Sequence, residues 1–274
     1  MPPPPMPPAP SGPPAPSASG PRAPAPATVL GLRARQWMVV AAALAGCYLT
    51  ASAAALTGSW ALMNREPTNA ELRQAALAEV ARRWQVWPAG RIFPERVAYS
   101  RGGGESEFAT RVGIAPQTGC DTAVDQEYAL VLRKHGCRAV LRATYTDQLQ
   151  GVVVTVGVAA FPDQWRADKA FRELPANADP DRSGGVRPTV RAAAFPGTAA
   201  ARFTDAARQE RGTDRGGPYV MLTASGYADG RPAEVTTKKH PARPFVLAPQ
   251  VARGIAKPLS TQALPDCSSR EWRC

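Results

Sequence analysis

Five cysteines and two histidines carry most of the reactive capacity of this 274-residue chain, and their spacing limits what that chemistry can be. Cys47 sits inside a long apolar run, and Cys120, Cys137, Cys267 and Cys274 all follow it. Four cysteines in an exported segment favour two disulfides over reactive thiols. Cys267 and Cys274 bracket "CSSREWRC", so local pairing is the simplest arrangement; it leaves Cys120 with Cys137, against two crossed connectivities. If residues 121–136 formed one straight helix, these two Cα atoms would stand about 25 Å apart, and a disulfide requires less than about 7 Å. The pairing therefore requires a helix that starts late, near Asp125, with residues 120–124 returning along it in extended form. Asp125 suits an N-cap, and Gly136 suits the position after the helix.

Other chemistries find no matching pattern. A zinc site would draw on Cys120, His135 and Cys137, with His240 as the remaining histidine, at a spacing that fits no zinc motif. "NADPDRSGG" offers Asn177, Asp179 and Asp181 as the first oxygens of a calcium loop. Arg182 stands where the loop needs glycine and Pro188 where it needs glutamate, so a polar turn is the better reading. Neither histidine accompanies a G-x-S-x-G nucleophile. Arg101-Gly102-Gly103-Gly104 lacks the strand–loop–helix context of a phosphate loop. No catalytic, cofactor-binding or metal residue is assigned, and no cofactor is implied.

What remains is electrostatic. The net charge is +11, although an excess of Arg over Lys beside abundant Ala, Gly and Pro makes part of it compositional, as in a GC-rich bacterial genome. Lys238, Lys239 and Arg243 form a basic cluster suited to anionic wall polymers or lipid headgroups; a solvated loop is the plainer account. Nucleic acid fits the charge but not an exported compartment.

The apolar run "MVVAAALAGCYLTASAAALTGSWALM", residues 38–63, fixes that compartment. As a helix it measures about 39 Å, more than the roughly 30 Å of a bilayer core. Trp37 and Trp60 bracket it, and only Arg22, Arg33 and Arg35 carry charge ahead of it. The positive-inside rule places the N-terminus in the cytoplasm and the large C-terminal segment outside. An uncleaved single-pass anchor in contact with membrane lipids is the preferred reading. Two rivals remain: lipidation of Cys47 within Leu44-Ala45-Gly46-Cys47, and cleavage as a signal peptide near Ala51-Ser52-Ala53. Gly46, Thr50, Ala54 and Gly58 form a small-residue stripe of the kind that pairs helices into homodimers.

The elements that position everything else follow from patterning. The first 28 residues hold thirteen prolines and are expected to be disordered, a spacer or a polyproline ligand. Thr68 to Glu71 is a capping box opening a helix with Leu72, Ala76, Val80, Trp84 and Trp87 on one face, broken at Pro88. Strands are expected at Val97–Tyr99, Phe108–Ile114, within "CRAVLRATYT", and through "VVVTVGVAAF". Between the last two lies a short turn at Asp147–Gly151. Helices are expected over 125–135, with Tyr128, Val131 and Leu132 inward, and from Pro162 at its first position through Leu174. Further strands are expected near Thr189–Phe195 and Pro218–Tyr227, then a helix around Val251 and Ile255 that Pro258 should stop or kink.

From Phe108 to Phe195 this order matches a ferredoxin-like βαββαβ antiparallel sheet with helices on one face, an α+β fold extended by one strand and one helix. The expected organisation is a cytoplasmic tail (1–36), a transmembrane helix (37–63), a juxtamembrane helix and connector (64–106), an extracytoplasmic domain (107–264) and a disulfide-closed tail (265–274).

"WPAGRIFPERVAY", "HGCRAVLRATYTD" and "VVVTVGVAAFPD" resemble segments of a family of actinobacterial single-pass membrane proteins with an exported α+β domain. The likeness spans roughly residues 35–260 and brings no catalytic or binding residues with it. It implies a cell-envelope protein, with an envelope protein or anionic wall polymer as partner. A membrane-anchored, non-catalytic binding or accessory module is the expected function. The alternatives are an exported hydrolase whose cleft joins distant residues, and a structural subunit of a membrane complex.

Overall fold

The computed structural model describes residues 28–29, 32–65, 67–102, 106–175, 188–233 and 245–263, the backbone alone at 28–29 and 32–34. The chain divides into two compact units, Met1–Glu66 and Pro67–Cys274. Asn177, Asp179, Asp181, Lys238, Lys239, His240, Arg243, Cys267 and Cys274, with the expectations that rest on them, lie outside the described residues.

In the first unit a two-residue antiparallel pairing, Thr28–Val29 with Leu32–Arg33, leads into helix α1, Ala34–Met63. This is the one helix among the described residues long and apolar enough to cross a membrane. It starts three residues earlier than expected, at Ala34. Its polar side chains fold back on the helix itself: Thr50 Oγ1 donates to the carbonyls of Gly46 and Cys47, Thr57 Oγ1 to Ala53 and Ala54, and Ser59 Oγ to Leu56. Hydrocarbon offers no partners for such groups, so internal satisfaction is what a spanning helix requires. Cys47 is a free, exposed thiol on this helix.

The second unit is built on a six-stranded sheet. Its elements are α2 (Asn69–Val86), α3 (Ala89–Ile92), β1 (Arg96–Tyr99), β2 (Glu107–Ala115), α4 (Gln126–Lys134) and β3 (Ala139–Thr146). They are followed by β4 (Val152–Ala160), α5 (Gln164–Glu173), β5 (Glu210–Gly216), β6 (Tyr219–Tyr227) and α6 (Leu247–Ser260). The strand order is β1-β2-β3-β4-β6-β5, and every neighbouring pair is antiparallel. The α+β class is as expected, but the ferredoxin-like order is not reproduced. That order interleaves the strands, setting those joined through a helix apart with another strand between them, whereas here each of the first four strands pairs with its predecessor in the chain and β5 and β6 close the sheet as a hairpin.

Both faces of the sheet are covered, not one. Val154, Val156 and Val158 of β4 point into a core with Val80, Tyr145, Met221, Val251 and Ile255, under α2 and α6. Val153 and Ala159 point the other way, into a core with Tyr128, Leu132, Ala167, Phe203 and Leu222, under α4 and α5. Alternation in "CRAVLRATYT" therefore marks two buried faces, and even Arg142 and Thr144 are buried.

The expected strand at Thr189–Phe195 is the main correction. Only Val190 forms a bridge, to Val124. The segment runs as a strap across the sheet face, held by side chains instead of a ladder. Thr144 Oγ1 donates to Ala193 O, Ala193 N donates to Thr155 Oγ1, Thr189 Oγ1 donates to Thr223 O, and Arg142 Nη1 donates to Arg191 O. Two strand glycines make room for it. A Cβ at Gly157 would meet Val190 Cγ2 at 2.9 Å, and one at Gly113 would overlap the ring of Phe195. Alternating apolar residues satisfy a strap on a sheet as well as a strand in one, so pattern alone does not separate the two.

Arg208 fastens this strap. Its side chain is fully buried and lies 2.9 Å from Asp125 Oδ2, and it donates to the carbonyls of Val190 and Asp205. The Asp125 carboxylate also accepts from Thr189 N. Asp125 is the N-cap residue of α4 but makes no side-chain cap bond, because its oxygens are turned to the strap.

The late-starting helix and the Cys120–Cys137 disulfide are both present, with Cα atoms 6.3 Å apart. Residues 120–123 form a turn and bend, not the extended return expected, with Ala123 N bonded to Gly119 O. Gly136 has φ +78°, the left-handed conformation that ends α4. The capping box of α2 is formed, Glu71 N to Thr68 Oγ1 and Thr68 N to Glu71.

Two helix boundaries differ from expectation. Helix α5 starts at Gln164 with Asp163 as its cap, accepting from Arg166 N at 2.8 Å, so Pro162 lies ahead of the helix instead of at its first position. Pro258 lies inside α6, which runs on to Ser260. The reason lies in α2: Arg83, paired with Glu79 at 2.6 Å, donates to the carbonyls of Pro258, Leu259 and Thr261, which the end of a helix leaves without partners. Strand β5, "ERGTDRG", gave no apolar signal and was not expected; β6 supplies its entire ladder.

Two outcomes are expected. Arg208→Ala leaves the Asp125 carboxylate buried and uncompensated and should cost about 3–5 kcal/mol in denaturant unfolding, whereas a substitution of exposed Arg138 should change little. Glu173 is exposed, and its carboxyl is drawn down to about 2 by the hydrogen bond from Lys134 and then that from His135. Its folded value lies below the usual one, so its contribution is complete above about pH 4.5 and fades as pH falls towards about 2. Glu173→Gln should flatten the pH dependence of the unfolding midpoint in that window.

Candidate functional site

The residues that could do chemistry are dispersed. His135 ends α4, with Nε2 3.0 Å from Glu173 Oε2, a link between α4 and α5 and not part of a catalytic group. Cys120 and Cys137 are consumed by their disulfide. No three His, Cys, Asp or Glu converge on a metal position among the described residues.

The densest titratable cluster lies where β1 and β2 meet the β3–β4 hairpin. Tyr99 Oη donates to Glu107, and Arg101 sits 3.2 Å from Glu107 and 2.6 Å from Asp147. Burial, then the bond to Glu107, pushes the Tyr99 phenol above its ordinary value. Neither carboxylate is free to act as a base. Asp147 Oδ1 accepts from Gly151 N at 2.7 Å and Val152 N at 2.9 Å, while its other oxygen holds Arg101. The cluster clamps the hairpin to the sheet edge.

That clamp positions a groove. On the strap side of the sheet, a cavity of about 610 Å³ opens between the hairpin and the turn Gly197–Ala199, with Thr110 and Thr146 among its lining residues. A second, of about 380 Å³, continues past Ala201 and Arg202 to Ala228 and Asp229. Gln150, Thr198 and Ala199 line both, so the two are successive parts of one open groove. Its inner wall is Thr146, only 4 % exposed, whose hydroxyl has no hydrogen-bond partner among the described residues. Thr110 and Thr146 are cross-strand partners, next to the bulge that shifts the β2–β3 register between Arg111 and Gly113.

Gln150 is unusual. Its φ is +54°, the only positive value at a non-glycine residue among the described residues. An L-residue in this region bears a cost of about 1 kcal/mol or more, and the glycine of the loop stands one position later, at Gly151. Backbone strain of this kind concentrates at binding sites.

The hairpin is legible in the residues but the groove is not, because its second wall comes from residues 197–202, about fifty positions away. A Gln-x-Gln in a turn where Asn-Gly is usual was the one available signal.

An α+β domain with an open polar groove, in a chain that also carries one membrane-length helix, is the class the geometry defines. No protein-family model, curated protein or solved structure matches the chain, so nothing beyond that class is inherited from a relative.

Replacing Asp147 with Ala removes two backbone acceptor bonds and the Arg101 pair. It should lower stability by about 2–3 kcal/mol and speed amide hydrogen exchange at Gly151 and Val152, while the α2–α6 side keeps its protection.

Proposed function

We propose that this chain is a single-pass cell-envelope protein, as the resemblance to actinobacterial membrane proteins implies, with its N-terminus in the cytoplasm. The Pro67–Cys274 unit is displayed outside as a non-catalytic binding or accessory module. Arg33 and Arg35 ahead of the apolar helix support the orientation, and a disulfide at Cys120–Cys137 fits an oxidising compartment. The observation that carries the binding reading is the groove. It is open and lined by hydroxyl and amide groups beside Arg111, Arg202 and Asp229, and the carboxylate of Asp147 is fully engaged in holding the hairpin.

The test has two arms. Protease added to wall-stripped intact cells should digest the second unit; protection until lysis overturns the orientation. A photo-crosslinker in place of exposed Leu149, at the tip of the groove's hairpin, should capture a wall or envelope component in living cells. Absence of any adduct at native expression overturns the binding role of this groove.

A further inference from the structure

We propose that the groove takes a neutral, hydroxyl-rich chain, a stretch of uncharged polysaccharide, with Gln150 as the residue that sets its specificity. This rests on the reading of the second unit as a binding module and narrows it to one class of ligand.

Length is the first argument. Each part of the groove, about 610 and about 380 Å³, falls within the size range of small-molecule sites, and the two share one wall. Consecutive sites joined end to end suit consecutive units of a chain better than one compact molecule.

The second argument is chemical. Thr110, Thr146, Gln148 and Gln150 line the groove, and none of their side chains bonds to another described residue. A hydroxyl both donates and accepts, and an amide presents one of each function, which is the complement that sugar hydroxyls need. Thr146 adds a hydroxyl on the inner wall that no described residue engages, so it is free to exchange water for a ligand hydroxyl.

Charge argues against an anionic polymer. Arg111 is bonded to the carbonyl of Phe93 and Arg101 to Asp147. At the far end, Asp229 is held below the usual carboxylate range by Arg231 and then by Arg202. The lining sets Arg111 and Arg202 against Asp147 and Asp229, so the groove presents no net positive surface to a phosphate chain. An extended peptide is disfavoured as well: Val112 is the largest aliphatic residue of the lining, so the groove has no apolar pockets for alternate side chains.

The third argument is the backbone of Gln150. The loop holds this residue in the left-handed region, although glycine would sit there without strain, and its side chain borders both parts of the groove. Selection for the amide explains the strain; selection for the turn does not.

The experiment is calorimetric titration of the full chain in nanodiscs with chitohexaose, an uncharged oligosaccharide. Polyglycerol phosphate and a neutral hexapeptide serve as competitors. Saturable binding, unchanged between low and high salt and resistant to both competitors, is expected. Gln150→Gly should weaken it about tenfold and yet raise the unfolding midpoint by about 2 °C. Thr146→Val should weaken it comparably with no loss of thermal stability, since no protein group loses a partner. Absence of saturable binding, or variants that bind normally, overturns the proposal. Displacement by the hexapeptide with sensitivity to the same variants overturns the sugar class and leaves the binding module standing. Shortening of the oligosaccharide during titration overturns the non-catalytic reading and leaves the sugar class standing.

Discussion

A guanidinium with no solvent exposure must find its acceptors inside the protein or the fold does not form. Arg208 finds them in three places: the carboxylate of Asp125 at the start of α4, the carbonyl of Val190 early in the strap, and that of Asp205 beyond the turn that follows it. Residues more than eighty positions apart in the chain are brought together by one side chain. Because Asp125 also holds Thr189 N, the start of the strap, the first turn of α4 and the chain around Asp205 are fixed at a single point.

The covered sheet follows from that point. With the strap in place, the hydroxyls of Thr144 and Thr155, which would otherwise be stranded polar groups on a sheet face, become its hydrogen-bond partners, and Thr189 reaches the carbonyl of Thr223. Gly157 and Gly113 give the clearance that lets Val190 and Phe195 approach the strands. Beyond Phe195 the strap turns at Gly197–Ala199, and there it meets the β3–β4 hairpin across the groove. The groove is therefore a by-product of where the strap ends, with the Asp147 clamp holding the hairpin wall.

The opposite face is organised by the same physics on a smaller scale. Arg83 lies between Glu79 and the last carbonyls of α6, and Tyr219 Oη donates to Val80 O, so α2 is tied to both the last helix and a central strand. This explains how α6 continues past Pro258. The carbonyls at its frayed end are taken up by a charged donor from elsewhere, and the local penalty of proline is outweighed by tertiary contacts.

Much of this was legible in the residues themselves. The apolar helix, the capping box at Thr68, β2, β3, β4 and β6, the late start of α4 and the Cys120–Cys137 pairing all follow from periodicity, caps and bond geometry. Each of these acts over one helix turn, one strand or one closed loop. Strand order, the strap, β5, the burial of Glu79, Arg83, Arg142 and Arg208, and the groove did not follow. Alternation reports that a residue faces something apolar, but not whether that is a sheet neighbour or a covering segment, and a charged side chain looks exposed until its partner is in place. The sequence by itself determined the elements, because their signals are local. Only the tertiary structure decided which element lies on which, because that choice depends on long-range pairing of polar groups to acceptors that no local pattern announces.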